Sequence, residues 1–131
     1  MCCFLIAQSL AVPPGPPRDV LTLVHNSTSI LVLWLQPDEA VINGEIVSYK
    51  VKYNNSVNQQ SLSYATTLDN STLLLITGLK PYTVYYFTVQ AKNSVGFGSD
   101  SEPVLNRTSE DSKYKYKYLL IGKQSCYSED P

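Results

Sequence analysis

The sequence predicts an all-β fold, two sheets of about seven strands packed face to face, and three observations predict it. Short apolar alternations recur through the middle of the chain, each bounded by Gly, Pro, Asn or Asp. Val, Leu, Thr and Tyr are abundant, and no stretch carries a long run of helix-favouring residues. A lone Trp34 sits in one of the strand-like runs, large enough to fill the roughly 10 Å between two sheets. At 131 residues the chain is long enough for one hydrophobic core.

The elements follow in order. PPGPP at residues 13–17 forbids helix and reads as an extended linker running into a strand at 19–24. HNSTS at 25–29 is a polar turn. In the second strand, 30–35, Ile30, Val32 and Trp34 facing inward would put Leu31, Leu33 and Leu35 on the other side, because strand side chains alternate. Pro37 stops that strand, and Asn43-Gly44 supplies a tight turn. EIVSYKVKY, 45–53, is the third strand, with Tyr49, Val51 and Tyr53 alternating with Lys50 and Lys52. A weak edge strand lies near 62–67 and a leucine-rich one at 72–77. Gly78 and Pro81 bracket the turn into a strand at 85–91; a loop over 93–98 leads to a last edge strand near 102–105.

PPGPPRDV, then SILVLW, EIVSYKVKY, LKPYTVYYFTVQAKN and NSVGFGSDSEPV resemble, in order and spacing, the strands and corners of fibronectin type III domains. The wording is most similar to repeats in the ectodomains of receptor-type tyrosine phosphatases and cell-adhesion receptors. The resemblance covers residues 13–109 and implies a seven-stranded immunoglobulin-like sandwich, sheet A-B-E on sheet C′-C-F-G. It implies that Trp34, Tyr49, Leu79 and Tyr85 hold the fold, with the Tyr85 hydroxyl bonding back to backbone near Leu79. Gly96 and Gly98 would allow positive φ in the loop before the last strand, and Phe97 would stand at its tip as an aromatic contact for a partner. No RGD occurs in the chain.

Little in the composition points to chemistry. His25, the one histidine, stands in a turn with no carboxylate placed beside it by the strand pattern, and the acidic residues fall in loops. No phosphate loop or metal-ligand spacing appears, so no catalytic residue, cofactor or metal is expected. Cys126, in QSCYSEDP, lacks the preceding His and following Arg of a phosphatase signature. A net charge of −1 gives no reason to expect nucleic acid, and no apolar run approaches the roughly 20 residues of a membrane span. Cys2, Cys3 and Cys126 do not lie where an intersheet disulfide would form.

What remains are surfaces. Asn26, Asn54, Asn70 and Asn106 begin glycosylation sequons, each at a predicted turn or strand end where a sugar would be exposed. Leu31, Leu33, Leu35, Leu73 and Leu75 would share one outward face, a candidate partner contact. Residues 1–12 read as a leader with weak signal-peptide character, lacking a basic start. Residues 110–131 read as a poorly ordered Lys/Tyr-rich tail, with an extra edge strand as the alternative. The expected role is a noncatalytic extracellular or cell-surface module that binds protein partners, within a longer parent carrying neighbouring domains. A passive spacer and a cytoplasmic adaptor module are the alternatives.

Overall fold

A computed structural model of the chain describes residues 12–55 and 62–110. Nearly all of the leader, the segment 111–131, all three cysteines and Ser56 of the Asn54 sequon lie outside them. Seven strands form: β1 (Arg18–Asn26), β2 (Ser29–Leu35), β3 (Ser48–Asn55), β4 (Ser63–Thr66), β5 (Leu73–Ile76), β6 (Val84–Lys92) and β7 (Val104–Arg107). They make two antiparallel sheets, β1-β2-β5 and β4-β3-β6-β7. Among the described residues there is no helix, hence none long and apolar enough to cross a membrane.

Period-two alternation builds the core. Ile30, Val32 and Trp34 of β2, with Ile76 of β5, meet Tyr49 and Val51 of β3 and Tyr85, Phe87, Val89 and Ala91 of β6. Trp34 and Tyr49 touch edge-on across the two sheets, ring centroids 5.2 Å apart. Burial pushes the Tyr49 phenol above its ordinary value of 10.0, and the nearby Trp34 indole opposes that rise. The indole Nε1 nonetheless meets no hydrogen-bond partner of standard geometry. At the corner before β6, the Lys80 N–H donates to the Tyr85 hydroxyl at 2.9 Å, and Leu79 is buried beneath.

Four buried polar side chains replace ladder bonds where strands break off. The Thr67 hydroxyl accepts from the Tyr49 N–H at 2.9 Å, and Ser101 exchanges two bonds with Val89, N–H to carbonyl at 2.9 Å and N–H to hydroxyl at 2.8 Å. Thr108 accepts from the Thr83 N–H at 2.9 Å and donates to the Lys80 carbonyl at 2.6 Å. Asn93 donates to the carbonyls of Val12 and Asn43 at 2.7 and 2.9 Å. Each satisfies backbone that burial would otherwise strand.

Several local expectations need correction. The third strand pairs from Ser48 rather than residue 45: the Val47 N–H donates to the Lys92 carbonyl at the end of β6, and Ile46 before it drops into the core. The last strand begins at Val104, not 102: Pro103 has no N–H, and Ser101 bonds Val89 in place of a regular pair. The proline entry is no free linker. Gly15 N–H donates to the Val41 carbonyl at 2.7 Å, Asn43 amide to the Pro13 carbonyl at 3.0 Å, and Pro14 and Pro17 are buried. Gly98 does not take positive φ; a side chain there would collide with the Pro14 carbonyl packed against it.

Candidate interaction face

The outer face of β1-β2-β5 is made of leucine. Register places Leu21 opposite Leu33 and Leu33 opposite Leu73; one step along, Leu23, Leu31 and Leu75 form a second row. Leu35 extends the patch beside Arg18. The outer columns stand open, Leu21 63% and Leu73 52% exposed, while Leu31 and Leu33 are half-buried between their neighbours. The five leucines expected on this face are therefore joined by two from β1, legible in the alternation Val20, Leu21, Thr22, Leu23. With strands ~4.8 Å apart, the patch covers a few hundred Å², on the order of the largest apolar patch of an ordinary monomer. At its upper end a depression of about 390 Å³ lies between Leu21, Leu33, Leu35 and Leu73, with Asp19, Thr72 and Trp34 completing the wall.

The outer face of β4-β3-β6-β7 is polar at its centre, with Tyr64, Tyr86 and Leu105 on the same face toward its edges. Ser48, Lys50 and Lys52 of β3 stand beside Lys92, Gln90 and Thr88 of β6. Lys52 pairs with Asp100 at 2.8 Å. Phe97 does not stand at a loop tip: it bridges to Lys92 and lies half-buried on this face, with the Lys50 ammonium 4.1 Å and the Lys92 ammonium 5.2 Å from its ring centre. The Phe97 ring therefore packs beside two ammonium groups on the sheet face rather than standing alone at a loop tip.

The four sequon asparagines differ in setting. Asn26 is exposed, and its Oδ1 caps its own turn by accepting from Thr28 N–H at 2.9 Å and Ser29 hydroxyl at 2.7 Å. Asn70 is also exposed; beside it the Asp69 carboxylate, held below its usual range by hydrogen bonding to Ser71, fixes the loop. Asn54 lies within β3 opposite Tyr86. Asn106 departs from the expected exposure: half-buried in β7, its Nδ2 donates to the Thr22 hydroxyl at 3.1 Å and so ties the β7 edge to β1.

Two antiparallel layers and a tyrosine-pinned corner define a β-sandwich module. The chain belongs to the fibronectin type III domain family, whose model matches residues 15–107. It is 37% identical over 100 residues to Tyrosine-protein phosphatase Lar of Drosophila melanogaster, covering 76% of this chain and 5% of that protein. To Cell adhesion molecule DSCAM of Gallus gallus it is 35% identical over 111 residues, 81% of this chain and 5% of the relative. The crystal structure of the FN5 domain of Drosophila Lar superposes with a TM-score of 0.62 at 28% identity, over 75% of this chain and 99% of that domain. The chain thus spans 5% of the length of these curated relatives.

Proposed function

We propose that residues 13–109 form a noncatalytic, extracellular or cell-surface recognition module of an adhesion-receptor or receptor-phosphatase-like ectodomain. Its contact is the leucine face. The observation that carries this reading is the pair of cross-strand rows Leu21–Leu33–Leu73 and Leu23–Leu31–Leu75. A sheet face turned to water ordinarily alternates to polar residues, and nothing in the inner packing requires leucine there. A contiguous leucine patch with charge only at its border, as here Arg18 and Asp19, is the form of a protein contact. Trp34, Tyr49, Leu79 and Tyr85 serve the fold.

Kinship with surface receptors supports an extracellular setting, and Asn26 and Asn70 are the positions we assign to glycans. Expression in secreting cells followed by peptide mass spectrometry tests both. Sugar is expected on Asn26 and Asn70 and not on Asn106; unmodified Asn26 and Asn70 in secreted protein would remove the glycoprotein reading. For the contact itself, labelled protein is titrated onto cells bearing adhesion receptors. Leu31→Thr/Leu33→Thr/Leu35→Thr is expected to abolish binding that Lys50→Thr/Lys92→Thr retains. Equal binding by wild type and the leucine variant would sink the assignment.

A further inference from the structure

We infer that the partner of the leucine face supplies an extended aliphatic strand that adds to the open edge of β5. The inference rests on the reading of that face as a contact surface, and names how the partner engages it.

Hydrogen-bond parity locates the free groups. The Trp34 N–H donates to the Thr72 carbonyl at 3.0 Å, which makes that opposed pair a bonded one. Bonded and non-bonded pairs alternate along an antiparallel ladder. Val32–Leu74 and Ile30–Ile76 are therefore bonded, while Leu33–Leu73 and Leu31–Leu75 are not. Leu73 and Leu75 turn their N–H and C=O groups away from β2, toward the edge. Among the described residues nothing meets them there: the sheet ends at β5, and no loop or side chain bonds either backbone.

The opposite edge of the same sheet is closed. By the same parity Leu21 and Leu23 bond to β2, and Thr22 between them faces outward. The Thr22 carbonyl accepts from the Asn106 Nδ2 at 3.3 Å, and the ladder shifts register near both ends of β1. Side-chain plugs and bulges of this kind keep an edge from pairing with another chain. β5 has neither: Leu73–Ile76 carries no charge, no proline and no shift of register.

The side chains at this edge define what fits. Leu73 and Leu75 are the last members of the two leucine rows, 52% and 40% exposed. A strand laid antiparallel beside β5 sets alternate side chains next to them and prolongs both rows. Its other side chains turn to the inner side, where Leu74 and, on the facing sheet, Ala65 pack against the core yet stay half-buried. The occupant is thus a segment with large aliphatic residues two apart, an uncharged residue between them and free N–H groups. The leucine patch alone falls short of the ~800 Å² per partner typical of a stable complex, and backbone bonds to β5 add what apolar area lacks.

The test adds a synthetic peptide of alternating valine and leucine, lysine-capped for solubility, to the isotope-labelled full chain and follows amide exchange by NMR. The Leu73 and Leu75 amides are expected to exchange freely in the protein alone and to slow about tenfold with peptide at about ten times its Kd. The Leu74 amide, bonded to Val32, should be slow in both. The same peptide N-methylated along its length keeps its side chains but loses its N–H groups, and should not protect either residue. Equal protection by the N-methylated peptide, protection at Tyr64 and Thr66 of β4 instead, or none at all would each overturn the proposal. Protection that grows with protein concentration before any peptide is added would name a second copy as the occupant, and overturns it as well. Leu75→Pro removes an outward N–H and none bonded to β2, so peptide binding should weaken about tenfold or more, against a few-fold at most for Leu75→Thr. Equal binding by Leu75→Pro and wild type contradicts strand addition; should that variant fail to fold, the N-methylated peptide still decides. No cell enters these readouts, so their failure and failure of the cell-binding assay remain separate results.

Discussion

On the outer side of the four-stranded sheet, Lys50, Lys52, Lys92, Gln90 and Thr88 stand where a solvated sheet is expected to be polar. At the equivalent positions of the three-stranded sheet, every residue from Leu21 to Leu75 along both rows is leucine. The inner sides of the two sheets do not differ in this way; both contribute to one aliphatic and aromatic core. The contrast shows that the fold fixes the inner alternation and leaves the outer one free. A sandwich stable with lysines on one outer face does not need leucines on the other. Their presence is what supports the recognition role we propose for that face.

The sharpest check on that division is to cut each side in turn. Phe87→Ala, on the inner side of β6, should lower stability by about 3–5 kcal/mol, since it removes a fully buried ring. Leu73→Thr, on the open leucine face, should stay within about 0.5 kcal/mol of wild type. Urea unfolding measures both, and a comparable loss from Leu73→Thr would mean the leucines serve the fold after all.

Tyr85→Phe should cost about 1–3 kcal/mol in the same assay, because the part-buried Lys80 N–H loses its acceptor. A neutral result would show that the corner is held by Leu79 and the Thr108 bonds alone. Titration probes the seam between the sheets. Tyr49 is raised by burial, so the unfolded chain ionises first as pH climbs past about 10. Its contribution is intact below that pH and is lost as pH rises toward the folded value. Tyr49→Phe should therefore flatten part of the alkaline fall in melting temperature. The smallest effect belongs to the polar face: Lys52→Ala should cost no more than ~1 kcal/mol, and less in high salt, because the Lys52–Asp100 pair is partly exposed.

Most of the core was legible in the sequence because it follows from period two, whereas strand order and the partition into sheets came from the fibronectin type III resemblance, anchored by a single tryptophan and a corner tyrosine. What escaped depends on contacts across the chain. Nothing local reveals that Ser101 stands in for a ladder pair, or that Asn106 reaches Thr22, 84 residues away. Phe97 looked like a loop tip because its sequence neighbours are small; two lysines from neighbouring strands decide its setting. Leu21 and Leu23 were visible as an alternation, but their membership of the leucine face needed the pairing of β1 with β2.

The most direct test compares the two outer faces in one binding experiment. Wild type, Leu31→Thr/Leu33→Thr/Leu35→Thr and Lys50→Thr/Lys92→Thr, all shown to be folded, are titrated onto receptor-bearing cells. Recognition through leucine predicts a loss of affinity of about tenfold or more for the first variant and little change for the second. The reverse order, lysines essential and leucines dispensable, would contradict it.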